Sequence, residues 1–568
     1  MNYRARHLHY LLSAFTLILG AFQAWVGRHA MTADGVSYLD MADAILRGDG
    51  RLTINGHWSP LYPWLLAAAR RLLKPDSYGM FAVTHLLNFL IFCALFGSFQ
   101  FFWRQLRDYE AAQGRKDSRD GWVTLPGGFH LVLVYSLFIW LALRLIPVAL
   151  VTPDMCMAVF VLLACGFLLR VRMGRGGWTS YALLGLALGF GYLAKAPIFP
   201  LAWVFLATSL FGAPSLRKAV PGVLIASAVF LAVSAPLIVA LSIKEGRPSF
   251  GDSARLNYAW HINGTAWVHW QGDTPPGVGI PKHPERKIFS HPAVYEFATP
   301  IQGTYPPWFD PVYWNEGITP HFELRNQLKV LAHNARIYLE LFLKGGLAPV
   351  VLIFFLAFVK PSQRRWWLGH IGKAWFLLVP VLAGMGMFAP VHVEMRYIGS
   401  FIFVFWVTLL AAIRLPDSRQ VARLAQVLMA IPMVSLLAIS LISTDHYLRA
   451  DARHVDETNQ RVAHWLTRNG TGPGDWVALI GFGREAYWAR LARLRIVAEM
   501  PTENAEKFWD ADSALRSQVI DAFERTGAKI LVAEKVPPSA PLAGWTRIDQ
   551  TDCYAFRLQG EAMPPNLR

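Results

Sequence analysis

The sequence predicts a polytopic α-helical membrane protein of about 11 transmembrane helices, followed by a small α/β domain. Of its 568 residues, 54% are hydrophobic and only 16% are charged, a composition in which membrane spans are expected. Repeated apolar runs of about 20 residues, the length that crosses a bilayer, support this prediction. The runs lie at residues 8–27, 79–103, 130–150, 154–170, 179–194, 197–212, 219–243, 337–359, 368–388, 397–413 and 424–443.

The first run is preceded by basic residues but is not followed by a small-residue cleavage site, so it is predicted to be an anchor. Cys93, Cys156 and Cys165 lie in predicted spans, and Cys553 stands alone in the C-terminal part. No disulfide framework is expected from such a set.

Lysine and arginine residues are unevenly distributed over the short loops, which predicts the orientation. The short loops near 151–153, 195–196 and 389–396 carry only Lys195 and Arg396. The loops on the other side carry Arg4, Arg6, Arg104, Arg107, Arg115, Lys116, Arg119, Arg172, Arg175, Arg217, Lys218, Lys360, Arg364, Arg365, Arg414, Arg419 and Arg423. Because positive charge stays inside, we predict a multi-pass protein of the cell (inner or plasma) membrane with a cytoplasmic N-terminus. Much of the net charge of +16 then lies in the cytoplasmic loops, where it sets the orientation in the membrane. No nucleic-acid partner is therefore expected.

An acidic stretch follows the first run, and it holds Asp34, Asp40 and Asp43. The pattern favours an amphipathic helix over 35–46, on which Asp40 and Asp43 share one face. Asp34 has two interpretations: a helix N-cap, or a base at the membrane surface. A Gly/Asn turn and the segment HWSPLYPWLL, residues 57–66, complete the stretch.

Ionisable side chains within or beside spans are candidates for function because burying them in a membrane is costly. Arg144 and Lys195 lie near the outer ends of their spans, where both could also extend toward water. Asp154, in the turn VTPDM, is either a helix cap or a second carboxylate on the same outer face as Asp34.

The long loop 244–334 is rich in Trp, Tyr, His, Pro and Gly, a composition typical of a binding element or lid. Its aromatic side chains suit the C–H faces of sugar rings. The spacing of its histidines matches no zinc pattern, and the chain contains no phosphate-binding glycine loop. No nucleotide cofactor is therefore expected.

Helix and strand patterns alternate in the tail, which predicts the α/β domain. TNQRVAHWLTRNG, REAYWARLARL and SALRSQVIDAFERTG are predicted helices, and DWVALIGFG, RIVAEM and AKILVAEKV are predicted strands before a terminal strand pair. The turn GFGRE is interpreted as a fold turn. We predict a transmembrane catalytic domain over 1–444, with extracytoplasmic loops at about 28–78 and 244–334, and an extracytoplasmic α/β domain over 445–568.

Four segments, spread over roughly residues 8–410, carry a family resemblance. They are ADGVSYLDMADAI, HWSPLYPWLLAA, the TPD turn, and GLALGFGYLAKAPIF with the later EMRYIGSFIFV. Together they resemble the GT-C class of membrane glycosyltransferases, in the branch of protein O-mannosyltransferases and lipid A aminoarabinose transferases.

The resemblance implies inverting transfer of a sugar from a polyprenyl-phosphate donor to a lipid, glycan or protein acceptor at the outer membrane face of the cell envelope. Asp34 matches the catalytic aspartate of the family, and an attacking hydroxyl needs such a base. The leaving phosphate needs cations or a metal. Arg396 and Lys195 are the first candidates and Arg144 is the third. The matched segments also make Asp40, His57, Tyr62 and Asp154 candidate substrate-binding residues.

Metal dependence stays open at this point. Some relatives have two adjacent acidic residues in the first loop, whereas Gly35 follows Asp34 here, so a metal site of two carboxylates is not supported. A transporter or flippase for polyprenol-linked sugars, and a non-catalytic binding relative, are the alternatives.

Overall fold

The computed structural model describes residues 3–117, 122–123, 127–272, 274–344, 346–358, 368–369, 371–412, 415–416, 418–452 and 457–558. A bundle of long apolar helices occupies most of the chain, and a mixed sheet with its own helices lies beside it. The predicted inner-loop charges Arg119, Lys360, Arg364, Arg365 and Arg414 lie outside the described residues.

The ten helices described before residue 262 include the seven spans predicted for this region, one of which continues beyond its predicted end to Asp117. They are α1 (Tyr3–Val26), α2 (Ala33–Leu46), α3 (Leu61–Leu73), α4 (Met80–Asp117), α5 (Gly127–Trp140), which continues as a π-helix over Leu141–Leu145, α6 (Asp154–Arg172), α7 (Gly177–Ala194), α8 (Ile198–Gly212), α9 (Leu216–Glu245) and α10 (Ser253–His261). A strand β1 (Trp122–Val123) lies between α4 and α5.

The helices after residue 300 are, in order, α11 (Pro306–Phe309), α12 (Pro311–Trp314), α13 (Leu324–Leu343), α14 (Leu347–Phe358), α15 (Trp375–Phe388), α16 (Met395–Ala412), α17 (Arg419–Ala452), α18 (Glu457–Arg468), α19 (Tyr487–Leu491), α20 (Thr502–Trp509) and α21 (Ser513–Glu524). Within the described residues, seven helices are long and apolar enough to cross a membrane, and α8 and α15 are shorter apolar helices. The structure confirms a polytopic helical membrane protein.

One predicted span is wrong in its extent. The apolar run 337–359 is not a continuous helix, because α13 ends at Leu343 and α14 begins at Leu347. The first of these helices is amphipathic and starts at Leu324, well before the predicted span. Gly346, which lies between the two helices, has a φ of 72°, a backbone conformation that favours glycine and is common where a helix ends.

Small residues let the bundle helices approach closely. A Cβ at Gly185 on α7 would lie 2.2 Å from the carbonyl oxygen of Ala226 on α9, so no larger residue fits this crossing. Membrane helices commonly use such positions because close backbone contact replaces the hydrophobic driving force that lipid does not provide.

The C-terminal part forms the sheet that the strand patterns predict. The strands are β5 (Trp476–Gly481), β6 (Arg495–Pro501), β7 (Ile530–Ala533), β8 (Trp545–Arg547) and β9 (Tyr554–Arg557). Central β5 runs parallel to β6 and β7, and the terminal pair β9 and β8 continues antiparallel from β7. Helix α20 was not predicted. A further strand β4 (Leu415–Pro416) pairs with β1.

The loop 244–334 does not stand apart from this sheet. Its strands β2 (Arg286–Phe289) and β3 (Val294–Glu296) form a hairpin, and β3 pairs antiparallel with β6. The seven-stranded order is β2-β3-β6-β5-β7-β9-β8. One sheet thus combines strands that precede the predicted domain boundary at residues 444 and 445 with strands that follow it. The division into two domains at that boundary stays a prediction.

Candidate functional site

Three cavities meet at Asp34 and Arg396. The first cavity, of about 410 Å³, extends past Asp154 and Lys195 toward Phe250. The second, of about 710 Å³, lies toward Arg144, Lys344 and Arg484. The third, of about 120 Å³, is lined by His57 and several tryptophans. Asp34 and Arg396 are the residues that all three cavities share.

Helix α2 places Asp34 in its first turn. The N-cap is Thr32, whose hydroxyl accepts a hydrogen bond from the Gly35 N–H at 3.0 Å. The capping interpretation of Asp34 is therefore wrong, because the Thr32 side chain caps the helix. The Asp34 carboxylate instead accepts a hydrogen bond from Arg396 Nη1 at 2.8 Å, and 18% of its side chain is exposed to the cavities.

Arg396 bridges several carboxylates from the first turn of α16. Its Nη1 lies 2.8 Å from Asp34 Oδ2 and 3.8 Å from Asp154 Oδ2, and its Nε donates to Glu394 at 2.5 Å. The remaining guanidinium N–H groups face fewer partners, with Tyr397 Oη at 3.4 Å from Nη2. Arginine has five donors, so this cluster leaves donors for a ligand.

Asp154 and Lys195 form the second layer of the cluster. Asp154 is the first residue of α6 and is completely buried, and it pairs with Lys195 at the end of α7. The Lys195 ammonium also lies 3.6 Å from the centre of the Tyr397 ring. Asp154 Oδ2 has no hydrogen-bond partner among the described residues, which leaves one acceptor atom beside Arg396.

Glu394 and His392 were not singled out in the sequence. His392 Nε2 lies 3.0 Å from Glu394 Oε1, and the His392 ring stacks on His261 at 4.0 Å. Burial disfavours the charged form of Glu394, but His392 and Arg396 outweigh it and hold the pKa of that carboxyl well below its ordinary value. Glu394 therefore stays ionised and keeps Arg396 in place. The only sequence signal was their presence in and beside the motif EMRY.

His57 lies in a box of aromatic side chains. Its ring makes edge contacts with Trp58 at 4.3 Å and Trp260 at 5.5 Å, and it also borders Trp308. Burial lowers the pKa of His57 to about 4, a shift that Lys195 and Arg396 reinforce and Asp34 opposes. The ring is neutral at physiological pH, and its Nδ1 has no partner among the described residues, so it is available to a polar ligand.

The structure also adds a residue from the C-terminal sheet domain. Arg484 lies in the turn after β5 and lines both the second and the third cavity. Its guanidinium packs over Trp308 at 4.3 Å and Trp267 at 4.8 Å. The sequence of this turn indicates only a fold turn, because GFGRE lacks the spacing of a phosphate-binding loop.

Two of the predicted site residues lie away from the cavities. Asp40 is buried and accepts hydrogen bonds from Arg490 Nη1 at 2.8 Å, from the Thr304 N–H at 2.7 Å and from the Thr304 hydroxyl at 2.9 Å. Tyr62 is fully buried and donates to Asn88 at 2.7 Å. Both side chains are used within the protein, and neither borders the three cavities.

The structure brings together the other candidates: Asp34, His57, Asp154, Lys195 and Arg396 line the first cavity, and Arg144 lines the second with Asp34 and Arg396. No group of three or more His, Cys, Asp or Glu side chains that could hold a metal ion occurs in the described part of the chain. The cations that contact the carboxylates are those of Arg396 and Lys195.

Comparison with known proteins identifies the fold. No family model matches the chain, and none of the curated proteins matches it. Crystal structures of ArnT from Cupriavidus metallidurans, bound to undecaprenyl phosphate and in the apo state, match with TM-scores of 0.52 and 0.50 at 12% and 11% identity. Each comparison covers 98% of this chain and 99% of ArnT.

The Archaeoglobus fulgidus oligosaccharyltransferase, in complex with zinc and sulfate, is similar over 93% of this chain and 68% of its own, with a TM-score of 0.49 and 12% identity. The agreement with ArnT over nearly the whole of both chains confirms the predicted fold, a polytopic helical bundle with a C-terminal sheet domain.

Proposed function

We propose that this protein is an inverting glycosyltransferase that moves a sugar from a polyprenyl-phosphate donor to an acceptor at the extracytoplasmic face of the membrane. One observation carries the proposal: a partly exposed carboxylate, Asp34, is held by Arg396 where three cavities meet. A base and a cation at the junction of two large cavities suit a reaction between two substrates.

The first cavity suits the phosphate end of the donor. Lys195 and Arg396 border it, and each has donors left after pairing with Asp154, Asp34 and Glu394. Arginine binds phosphate oxygens in a fork and lysine binds them as a point charge. ArnT, which has the same fold, was crystallised with undecaprenyl phosphate, and this supports a polyprenyl phosphate as the ligand class.

The reaction then needs one proton transfer and one displacement. Asp34 accepts the proton of the acceptor hydroxyl as its oxygen attacks the anomeric carbon. The bond from that carbon to the phosphate oxygen breaks, and its electron pair remains on the phosphate. Arg396 and Lys195 stabilise the charge that develops there. A single displacement inverts the anomeric configuration.

His57 and its tryptophan neighbours border the space between the two large cavities. Neutral His57 offers a hydrogen-bonding nitrogen, and Trp58, Trp260, Trp267 and Trp308 offer flat apolar faces. Sugar rings need both kinds of contact, since hydroxyls need partners and C–H faces pack on aromatics. The third cavity is thus a suitable place for the transferred sugar.

The topology is part of the same proposal. A cytoplasmic N-terminus places the loops 28–78 and 244–334, and the domain 445–568, on the extracytoplasmic side with the cavities. Reporter fusions at Gly272 and Gly470 should read outside, and a fusion after Gly114 should read cytoplasmic. A cytoplasmic signal at Gly470 contradicts this arrangement.

The test is transfer of a labelled hexose or pentose from polyprenyl phosphate into lipids, glycans and proteins of membranes that contain the protein. The Asp34→Asn variant is the matched control. We expect label in one acceptor class, with inverted anomeric configuration by NMR. Donor binding without transfer points to a binding relative, and movement of the intact donor across the membrane points to a transporter.

A further inference from the structure

Arg484 is held at the cavity junction by the C-terminal domain. It lies in the turn Gly483–Glu485, directly after central strand β5. The Gly483 N–H donates to Glu499 Oε1 on β6 at 3.1 Å. A Cβ at Gly483 would lie 2.4 Å from the Tyr305 ring, so only glycine allows this approach. The turn is fixed by the sheet on one side and by the loop 244–334 on the other.

Two tryptophans of the loop 244–334 hold the Arg484 side chain. Its guanidinium lies 4.3 Å from the centre of the Trp308 ring and 4.8 Å from that of Trp267. Stacking uses the face of the guanidinium and leaves the N–H groups at its edge for bonds in the plane. The arginine is therefore ordered before any ligand binds.

No carboxylate pairs with Arg484 within 4 Å among the described residues, and its Nε is buried without a hydrogen bond. This distinguishes it from Arg396 and Arg490, each of which contacts at least two carboxylates. A partly buried cation without an anion is costly. An anionic ligand at this position would supply the missing partner.

The cavities that Arg484 borders indicate which substrate carries the anion. Arg484 lines the second and third cavities but not the first, where the donor phosphate is proposed to bind. Arg144, also without a carboxylate within 4 Å among the described residues, lines the second cavity as well. Four carboxylates line the second cavity. Asp34 and Glu394 pair with Arg396, Glu340 pairs with Arg336 and Lys344, and Glu485 is the fourth.

We infer that Arg484 is a substrate-binding residue supplied by the C-terminal domain, and that it binds an anionic group of the acceptor in the second cavity. The inference rests on the proposed function and extends it in two ways. It makes the acceptor an anionic molecule, and it makes the sheet domain a part of the active site.

The kinetic test compares Arg484→Gln and Arg484→Lys with Arg461→Gln, an exposed arginine of the same domain that pairs with Glu457. Transfer from a labelled polyprenyl-phosphate sugar is measured against donor and against a cell-envelope acceptor fraction. We expect Arg484→Gln to raise the acceptor KM about ten- to hundredfold, the effect of losing a charged hydrogen bond. The donor KM should change less than about twofold, and Arg484→Lys should lie between.

Chemical neutralisation of the acceptor identifies the anion. One portion of the envelope fraction is treated with phosphatase, and another is amidated to neutralise carboxylates. The treatment that removes the relevant anion should raise the wild-type acceptor KM to that of Arg484→Gln and leave the variant unchanged. An acceptor KM that is unchanged in Arg484→Gln overturns the inference, and a raised donor KM assigns the anion to the donor instead.

A binding measurement separates this inference from the proposed function. Immobilised full-length protein is tested for retention of the radiolabelled envelope fraction, before and after each neutralising treatment. Retention that depends on Arg484 without any sugar transfer rejects the transferase and keeps the anion site. If the Arg484 variants fail to fold, the neutralised fractions still decide the matter with wild-type protein, because equal retention of native and neutralised material overturns the inference.

Discussion

Helix α2 carries carboxylates bridged by an arginine near each of its ends. At the N-terminal end, Arg396 contacts Asp34, Asp154 and Glu394, and at the C-terminal end Arg490 contacts Asp40 and Asp43. The chemistry is similar but the surroundings differ. The Arg396 side chain is 18% exposed and borders all three cavities, whereas the Arg490 side chain is 4% exposed and borders none of them.

The difference shows what separates a reactive cluster from a structural one. Asp40 accepts hydrogen bonds from Arg490 and from the backbone N–H and the hydroxyl of Thr304. Asp43 is paired with Arg70 as well as with Arg490. Few lone pairs remain there for a ligand. Near Asp34, an oxygen of Asp154 and several N–H groups remain. We propose that the closed cluster attaches the C-terminal domain to α2 and the open cluster performs the reaction.

The largest effect is expected when one aspartate in each cluster is replaced by asparagine. Asp34→Asn should lower turnover by about 10²–10⁴-fold, because the amide cannot accept the proton. Folding should be preserved, since Thr32 caps the helix. Asp43→Asn should lower stability while the folded fraction keeps its turnover. Turnover assays with thermal unfolding of the same samples check both variants. An Asp34→Asn enzyme with more than about a tenth of the activity contradicts the assignment.

The second effect concerns the closed cluster alone. Arg490→Met should destabilise the protein by about 3–5 kcal/mol, because it leaves the buried Asp40 carboxylate without its cation and removes one of the two cations of Asp43. The matched control is Arg461→Met, an exposed pair worth about 0–1 kcal/mol. Thermal unfolding in detergent is the measurement. Adding Asp40→Asn and Asp43→Asn should recover part of the loss, and no recovery would mean that the arginine acts through packing instead.

A smaller effect is expected when the charge of the open cluster is kept but its shape is changed. Arg396→Lys should weaken undecaprenyl phosphate binding by about tenfold, because lysine cannot bond Asp34, Glu394 and a phosphate together. Lys195→Met should weaken binding as well. Equilibrium binding of the labelled lipid checks this. Unchanged affinity in both variants assigns the phosphate contacts to Arg144 or to a metal ion.

The smallest effect is a pH dependence at the contact between loop and sheet. Burial raises the pKa of Glu499 to about 8, although nearby Tyr305 and the hydrogen bond from the Gly483 N–H lower it somewhat. The folded state then holds this proton more tightly than the unfolded chain, and the resulting stability is lost as pH rises from about 4.5 to 8. In Glu499→Gln that loss should be absent. The stability of the variant relative to the wild type, measured by thermal unfolding, should therefore increase as the pH rises from 5 to 8. Parallel pH profiles would contradict this.

Much of the fold could be predicted because membrane spans depend on the length and hydrophobicity of a run. Apolar runs placed the ends of α6, α7 and α8 within a few residues. The break in the run 337–359 was missed because the hydropathy of a run does not reveal a glycine such as Gly346, whose backbone conformation separates two helices. The pairing of β3 with β6 was also missed, since no local pattern reveals a strand partner so distant in the chain.

The site was predictable only where a motif marked it. Asp34, Asp154, Lys195 and Arg396 lie together as the four matched segments implied. Asp40 and Asp34 are both acidic residues of one motif, and the sequence could not show that only one of them faces a cavity. Arg484 was missed because its neighbour Trp308 comes from a distant segment. Glu394 was missed because its partner Arg396, two residues away, marks a site only once Arg396 also contacts the distant Asp34.

The hairpin β2–β3 has a consequence for how the chain is made. During synthesis the hairpin leaves the ribosome long before β6, and helices α14 to α17 follow between them. The edge of β3 that pairs with β6 has no partner strand until those helices and the C-terminal part have been synthesised. Completion of the sheet thus depends on completion of the membrane domain. A chain that stops before β6 keeps an unpaired strand edge, which can pair with another chain and aggregate.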